Sequence, residues 1–174
     1  MLNVEKELQK FAKKVVRSAQ SQLIQQGKRN TGKLFNSIDS RLDVSKSGYS
    51  FSLDFTLSDF KPDSYGDFVD KGVSGKQVKY NTPYTFRSKM PPREPILRWI
   101  KRRRIRQRDE QGRFTKTNFN SLAFLIQRSI FNKGIKPSLF FTKAFEKHFK
   151  GLDKELQEAY ALDLEDFIEF TLNK

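Results

Sequence analysis

The sequence predicts an α+β protein in which an N-terminal amphipathic helix packs on a small antiparallel β-sheet, followed by further helices and a C-terminal acidic helix. Three patterns carry this prediction. From Val4 to Ile24, apolar residues recur at intervals of three and four, which is the period of a helix. From Tyr49 to Leu57 they alternate with polar residues, which is the period of a half-buried strand. Helical periods return after Pro95.

The first helix and the strands have recognisable ends. Asn3 is the predicted N-cap of the helix, and Gly27 is the left-handed residue that ends it. Residues 38–44 carry apolar side chains at even spacings, and the SKSG segment at residues 45–48 has the composition of a turn. We therefore expect residues 38–44 and 49–57 to pair as an antiparallel hairpin with one face in solvent.

The second half of the chain alternates between irregular and helical patterns. Tyr65–Gly72 is typical of a short helical turn, and residues from about 73 to 95 are predicted to form an extended loop that orders on a partner. Pro95 begins a helix with basic outer faces. A helix capped by Asn118 or Asn120 ends near Gly134, and a last amphipathic helix follows, broken or unbroken at Gly151.

Length and charge suggest one basic body with an acidic end. A chain of 174 residues fits one domain, and we expect a basic α+β domain at residues 1–151 and an acidic helical extension at residues 152–174. The net charge is +14, but the extension has seven acids and two lysines, so it carries −5 and the first 151 residues carry +19. Such a body favours acidic partners such as nucleic acid.

Composition restricts the chemistry of the chain. There is no Cys and a single His, His148, which excludes disulfides, thiolate metal sites and thiol catalysis and disfavours a His-based metal cluster. There is no long apolar segment and no basic leader followed by an apolar one, so we expect neither export nor a membrane partner. We expect no cofactor.

Two patterns resemble catalytic or nucleotide sites and are better explained otherwise. Gly27, Gly32 and Lys33 have the spacing of a phosphate-binding loop, but a helix leads into them and Leu34 follows where Ser or Thr would hold magnesium. Three carboxylates lie close together in sequence without a His or Cys partner, so we expect no enzyme. These carboxylates are Asp63, Asp67 and Asp70.

A basic run is the strongest local signal for a partner. It places seven positive charges in eleven residues without an acid: Arg98, Lys101, Arg102, Arg103, Arg104, Arg106 and Arg108. Like charges this close repel one another unless an anion compensates them. A solvated helix face, a site for the acidic C-terminal helix of the same or a neighbouring chain, and sequence-independent contact with DNA phosphates are all consistent with the run. No base-reading motif accompanies it.

Three short segments combine turn residues with apolar anchors: TGKLFNSI at residues 31–38, YGDFVDKG at residues 65–72 and GIKPSLFFTKA at residues 134–144. In this order they resemble the T-G-x-L-x-x-S-I, Y-A-x-x-V-E-x-G-T and G-T-x-P-x-P-F-L-x-P-A signatures of small tailed-phage neck or tail-completion proteins. These head-tail joining or minor tail components are encoded beside the connector genes. Gly66 stands for the family's Ala and Asp70 for its Glu.

The resemblance implies a non-enzymatic virion protein that forms a ring at the portal-to-tail junction and contacts portal or connector proteins and tail proteins. It would reside in the neck or tail of the virion after assembly in the host cytoplasm, with genome DNA as a further partner in the channel. It implies structural roles for Thr31, Gly32, Leu34, Ser37, Ile38, Tyr65, Val69, Asp70, Gly72, Gly134, Pro137, Phe140, Phe141 and Ala144. A basic, sequence-independent nucleic-acid-binding module is the alternative.

Overall fold

A computed structural model describes residues 2–29, 31–45, 50–57, 65–116 and 118–172. Within these residues the chain has seven helices and two small antiparallel sheets, which confirms the predicted α+β class. The helices are α1 (Leu2–Gln25), α2 (Lys33–Ser37), α3 (Tyr65–Lys71), α4 (Arg93–Arg103), α5 (Phe119–Lys133), α6 (Phe140–Phe149) and α7 (Leu152–Leu172). The strands are β1 (Asp39–Val44), β2 (Phe51–Thr56), β3 (Val73–Ser74) and β4 (Gly134–Ile135).

The chain divides into two compact units. The first unit combines Met1–Asp70 with Ser138–Lys174, and the second consists of Lys71–Pro137. The predicted boundary at residue 151 falls elsewhere, inside the first unit between α6 and α7.

Helix α1 forms where its period predicts. Its inner face is the row Phe11, Val15, Ala19 and Leu23, one residue per turn and each almost completely buried. Gly27 ends the helix with a φ of 64°, and its amide donates to the carbonyl of Ile24 at 2.9 Å. The predicted left-handed helix end is therefore confirmed.

The hairpin of β1 and β2 is also confirmed. Its register places Asp39 opposite Thr56 and Val44 opposite Phe51. Along β2 the half-buried and exposed residues alternate, as the period of two requires. The Phe55 ring packs edge-on against a ring of α1, so this face of the hairpin lies on the helix. The predicted turn residues 46–48 and the neighbouring residue 49 lie outside the described residues.

Two apolar clusters form the core of the first unit. One is built from Ala19, Leu23, Ile38, Phe140 and Ala144, with Leu34 and Val69 packed against it. The other is built around Phe11, Val15 and Leu152. Four phenylalanine rings, from α1, β2 and α6, meet at centroid distances of 5.3–6.4 Å, most of them edge to face. Part of the high Phe content is thus explained by this core.

The last helical region is broken, with α6 and α7 separated at Gly151, where φ is 93°. Helix α7 runs antiparallel to α1. Leu152, at its start, lies in the cluster with Phe11 and Val15, whereas Asp163, eleven residues later, contacts the first turn of α1. The first part of the predicted acidic extension is therefore core packing.

The second unit is organised by α4 and α5. Ile96 and Ile100 of α4 pack on Ala123 of α5. The side chain of Asn118 accepts hydrogen bonds from the amides of Asn120 and Ser121 at 3.1 and 3.2 Å, so Asn118 is the N-cap of α5. Helix α4 begins two residues before the predicted start at Pro95.

The segment predicted as an extended loop, residues 73–95, is hydrogen-bonded within the second unit. It begins as β3, and the Ser74 amide donates to the Tyr84 carbonyl while the Ser74 carbonyl accepts from the Phe86 amide. The Ser74 hydroxyl also donates to the Tyr80 carbonyl at 3.2 Å and accepts from the Tyr80 amide at 3.0 Å. These bonds satisfy backbone groups within the second unit, whereas ordering on a partner stays a prediction.

Candidate functional site

The first motif forms the corner between α1 and the hairpin. Gly32 has a φ of 81° and precedes the five-residue helix α2, and the Thr31 hydroxyl accepts a hydrogen bond from the Lys33 amide at 3.3 Å. Ser37 is buried, and its hydroxyl donates to the Leu34 carbonyl at 3.1 Å. The apolar residues of the motif point into the core, so this segment packs as the predicted corner.

The second and third motifs are joined by Asp70. Its side chain is 2% exposed, and its Oδ1 accepts hydrogen bonds from the amides of Phe141 at 2.8 Å and Thr142 at 3.3 Å. Its Oδ2 accepts from the Thr142 hydroxyl. Asp70 thus caps the first turn of α6. The N-cap residue of α6, Leu139, cannot do so, because its side chain has no oxygen.

Backbone bonds reinforce this junction. The Asp70 carbonyl accepts from the amides of Ser138 and Leu139 at 3.0 and 2.9 Å, and the Ser138 hydroxyl donates to the Val69 carbonyl at 2.6 Å. Leu139 is held at a φ of 52°, a left-handed conformation that is unfavourable for a residue with a Cβ. The surrounding bonds fix this conformation and aim the α6 amides at the carboxylate.

Glycines of the same motifs allow close backbone contact in the second unit. A Cβ on Gly72 would lie 2.5 Å from the Ile135 carbonyl oxygen and 2.7 Å from Pro137, and one on Gly134 would lie 2.2 Å from the Val73 carbonyl oxygen. Both glycines have positive φ, at 74° and 76°. Only glycine fits these two positions.

Apolar residues of all three motifs converge in the first unit. Leu34 and Ile38 of the first motif, Val69 of the second, and Phe140 and Ala144 of the third share one apolar cluster. Phe141 packs against both clusters of the first unit. Tyr65, in contrast, is 58% exposed. Sequence reasoning found the residues of this junction but did not predict that Asp70 would cap α6.

Of the candidate residues for catalysis, the structure describes Asp67, Asp70 and His148. Asp63 lies outside the described residues, Asp67 is half-buried in the first turn of α3, and Asp70 is engaged by α6. His148 is half-buried, and its pKa is lowered by burial and by the neighbouring charges of Lys147 and Lys14. Across residues 2–29, 31–45, 50–57, 65–116 and 118–172, no three His, Cys, Asp or Glu residues are grouped so as to hold a metal ion.

The seven cations of the basic run are all exposed. Arg98, Lys101, Arg102 and Arg103 belong to α4, while the other three follow its end. Arg104 is the left-handed C-cap, with a φ of 53°. Cations in the last turn of α4 are favoured by the helix dipole. The run therefore presents one basic helix end and a basic loop rather than a single helix face.

A second basic surface was missed. It lines a groove of about 410 Å³ on α1 with Lys6, Lys10, Lys13, Lys14 and Arg17. The spacing of three and four along a predicted helix would have revealed it, because such residues share a face. Two of its charges are compensated, since Lys10 pairs with Glu7 at 3.0 Å and Lys14 with Glu155 at 3.5 Å.

A cavity of about 370 Å³ lies beside the first motif. Leu34, Phe35 and Tyr65 provide apolar walls, and the Arg29 guanidinium lies 4.7 Å from the centre of the Phe35 ring. Lys28 and Lys33 also line it. Its size is that of a small-ligand pocket (~300–1,000 Å³), but its cations and open apolar walls also suit the side chains of a protein partner.

None of the described helices is both long enough and apolar enough to cross a membrane. No protein-family model matches the chain, and no curated protein and no solved structure matches it at a significant level.

Proposed function

We propose that this chain is a structural virion protein, a ring-forming subunit of a phage neck at the portal-to-tail junction. The observation that carries the proposal is the convergence of the three motifs that resemble neck proteins. Segments more than a hundred residues apart meet at Asp70, α6 and the apolar cluster around Phe140. Chance matches to turn-rich patterns have no reason to share a core, whereas signature residues that determine a fold do.

The exposed surface of the chain supports assembly. Of the large apolar side chains that are exposed, seven lie on α7: Tyr160, Leu162, Leu164, Phe167, Ile168, Phe170 and Leu172. Exposed apolar surface of this extent on one helix is typical of protein interfaces. The subunit would contact neighbouring copies and the portal and tail proteins, in the virion neck and, during assembly, in the host cytoplasm.

Purified phage particles test this function. After the particles are sheared, a neck subunit stays with the head-tail junction in a fixed copy number, which quantitative mass spectrometry measures against the major capsid protein. The purified chain should form an oligomer of the same number by native mass spectrometry. Absence of the chain from purified particles would contradict the proposal.

A sequence-independent nucleic-acid-binding module is the second candidate, favoured by the exposed basic run. Replacement of Arg102, Arg103 and Arg104 by Gln should weaken duplex binding for every sequence and reduce the slope of log K against log salt by up to ~3. The matched control replaces Lys6, Lys10 and Lys13 by Gln, with the same charge change on α1. Equal effects of both triple variants would assign binding to net charge alone, and no salt-dependent binding would reject this candidate.

A further inference from the structure

We propose that the second unit, Lys71–Pro137, is an inserted module that binds double-stranded DNA through its phosphates, and that the first unit takes no part in this binding. The inference deepens the second candidate function, because it names duplex DNA as the partner and assigns the contact to one unit. It does not depend on the neck function, which concerns assembly.

The second unit is inserted into the first at a single point. In the first unit, the Asp70 carbonyl accepts a hydrogen bond from the Ser138 amide at 3.0 Å, so the residues where the chain leaves and re-enters are adjacent. In the second unit, β3 pairs with β4, with Val73 opposite Ile135. Both ends of the insertion are thus tied together, and a unit of this kind can have a surface and a partner of its own.

The net charge of the chain lies almost entirely in this unit. The second unit contains 18 Lys and Arg and three acids, a net charge of +15, whereas the first unit, with 16 Lys and Arg and 17 acids, carries −1. All 18 cations of the second unit are exposed. Its three acids cannot neutralise them, and the first unit has almost no surplus of acid. Uncompensated positive charge at this density favours a polyanion as partner.

One acid of the unit is distant from the basic end of α4, and another is engaged in a turn. Glu94 lies in the first turn of α4, roughly 13 Å along the helix from Arg103. Asp109 is half-buried and accepts hydrogen bonds from the Arg113 amide at 2.8 Å and from the Arg113 Nε at 3.0 Å. The carboxylate of Asp109 thus pairs with Arg113, a cation outside the basic run.

Arginine is concentrated in the second unit as well. Ten of the 13 Arg residues of the chain lie there, whereas the first unit has three Arg and 13 Lys. A guanidinium can donate two parallel hydrogen bonds to one phosphate, which an ammonium cannot do. The guanidinium of Arg108 lies 4.5 Å from the centre of the Phe114 ring, and that of Arg93 lies 5.6 Å from the centre of the Phe124 ring. These ring contacts hold the two cations in place and lower the entropic cost of binding.

The amount of charge favours a duplex over a single strand. A compact unit of this length has a radius of gyration of about 11 Å and is roughly 28 Å across. A duplex of about 28 Å carries about 16 phosphate charges, whereas a single strand of that length carries about 8. The net charge of +15 is comparable with that of the duplex. A protein surface of the same size usually mixes acids with bases and offers less net charge.

Matched charge variants outside the basic run give a first measurement. Replacement of Arg87 and Lys89 by Gln should reduce the slope of log K against log salt for duplex binding by up to ~2. The control replaces Lys147 and Lys150 of the first unit by Gln, with the same change of charge at exposed positions, and should leave the slope unchanged. Urea denaturation establishes that both variants fold. Equal effects of the two variants would contradict the assignment to the second unit.

Lysine footprinting of the full wild-type chain is the direct test. The protein is treated with a trace of an acetylating reagent, with and without a duplex of arbitrary sequence, and mass spectrometry measures the rate at each lysine. Lys89, Lys101 and Lys116 of the second unit should react at least about threefold more slowly with the duplex present, whereas the rates at Lys13 and Lys147 of the first unit should not change. High salt should abolish the protection, because it opposes the release of counterions from the phosphates.

The possible results distinguish this inference from the functions proposed above. Equal protection of first-unit lysines would overturn the inference and retain nucleic-acid binding as a property of the whole chain. Tighter binding of poly-glutamate, or of a single strand at equal phosphate concentration, would overturn it by assigning a different partner. No binding of the duplex would reject both the inference and the second candidate function. The neck function is tested separately, by the copy number of the chain in virions.

Discussion

Asp70 and Asp163 make the same interaction in two regions of the first unit. Each is a buried carboxylate, 2% and 8% exposed, that accepts hydrogen bonds from the first amides of a helix other than its own. Asp70 caps α6 and Asp163 caps α1. Both place negative charge at the positive end of a helix dipole.

The surroundings of the two aspartates differ. Asp70 also accepts a hydrogen bond from the Thr142 hydroxyl, and its backbone carbonyl accepts from two amides. Val69 before it and Phe140 of the capped helix pack in the core. After Asp163, α7 has no buried residue. The same capping interaction therefore has two structural roles. At Asp70 it holds a junction in the core, and at Asp163 it lies where the packing of α7 ends.

Asp70→Ala should be the most destabilising change. It removes a cap, worth about 0.5–2 kcal/mol, and leaves the buried donors of Phe141 and Thr142 without an acceptor, at about 1–3 kcal/mol each. We expect a loss of about 3–5 kcal/mol in the free energy of unfolding, measured by urea denaturation. Asp70→Asn should restore part of it, and Asp54→Ala, exposed on β2, is the control. A loss no greater than that of Asp54→Ala would remove Asp70 from its structural role.

Asp163→Ala should cost less, about 1–2 kcal/mol, because it removes one cap at the edge of the unit. Hydrogen exchange should localise the effect, with faster exchange of the amides in the first turn of α1 and unchanged exchange in α6. If the amides of α6 also exchanged faster, the regions capped by Asp70 and Asp163 would unfold as one cooperative unit and would not be separate.

The pH dependence of the free energy of unfolding separates the contribution of the Asp163 charge from that of the side-chain shape. Burial raises its pKa, but the hydrogen bonds from Asn3 and Val4 lower it, and the net shift is downward. A lowered pKa gives stability that is present above the ordinary value of about 3.9 and is lost as pH falls through the folded-state value. The stability difference between wild type and Asp163→Asn, up to ~1 kcal/mol, should therefore be constant from about pH 5 to 7 and shrink below about pH 4. If the stability difference between wild type and Asp163→Asn persisted at about pH 2, it would not come from the charge of Asp163.

Periodicity predicted most of the fold, and local turn chemistry predicted most of the element ends. The face of α1, the alternation in β2 and the glycine at residue 27 were readable because each depends on residues close in sequence. The ordered segment after β3 was not, because Ser74 fixes it through bonds to Tyr84 and Phe86 that leave no periodic pattern. A Pro-rich segment without hydrophobic periodicity has the sequence pattern of a flexible loop, even where its backbone is hydrogen-bonded to other residues.

The candidate site shows the same limit. Asp70 was identified by its motif, but its bond partners lie about 70 residues away, and no local pattern indicates which helix it caps. Asp163 was counted only as one acid of an acidic helix, and its cap on α1 is 160 residues distant. The net charge of residues 152–174 predicted a single extension. In the structure, residues up to Asp163 include buried ones, whereas residues 164–172 are all exposed.

Removal of residues 164–172 alone should have the smallest effect on the fold. Deletion after Asp163 retains both caps and the packing of Leu152 and Ala159, and it removes only exposed residues, so the free energy of unfolding should change by less than about 0.5 kcal/mol. Measurement at a concentration below self-association is required, because an oligomer would add linkage stability to wild type only. The comparison is a deletion after Leu156, which also removes Ala159 and the Asp163 cap and should cost at least about 2 kcal/mol. Equal losses would mean that residues 164–172 contribute to the folded monomer and that packing does not end at Asp163.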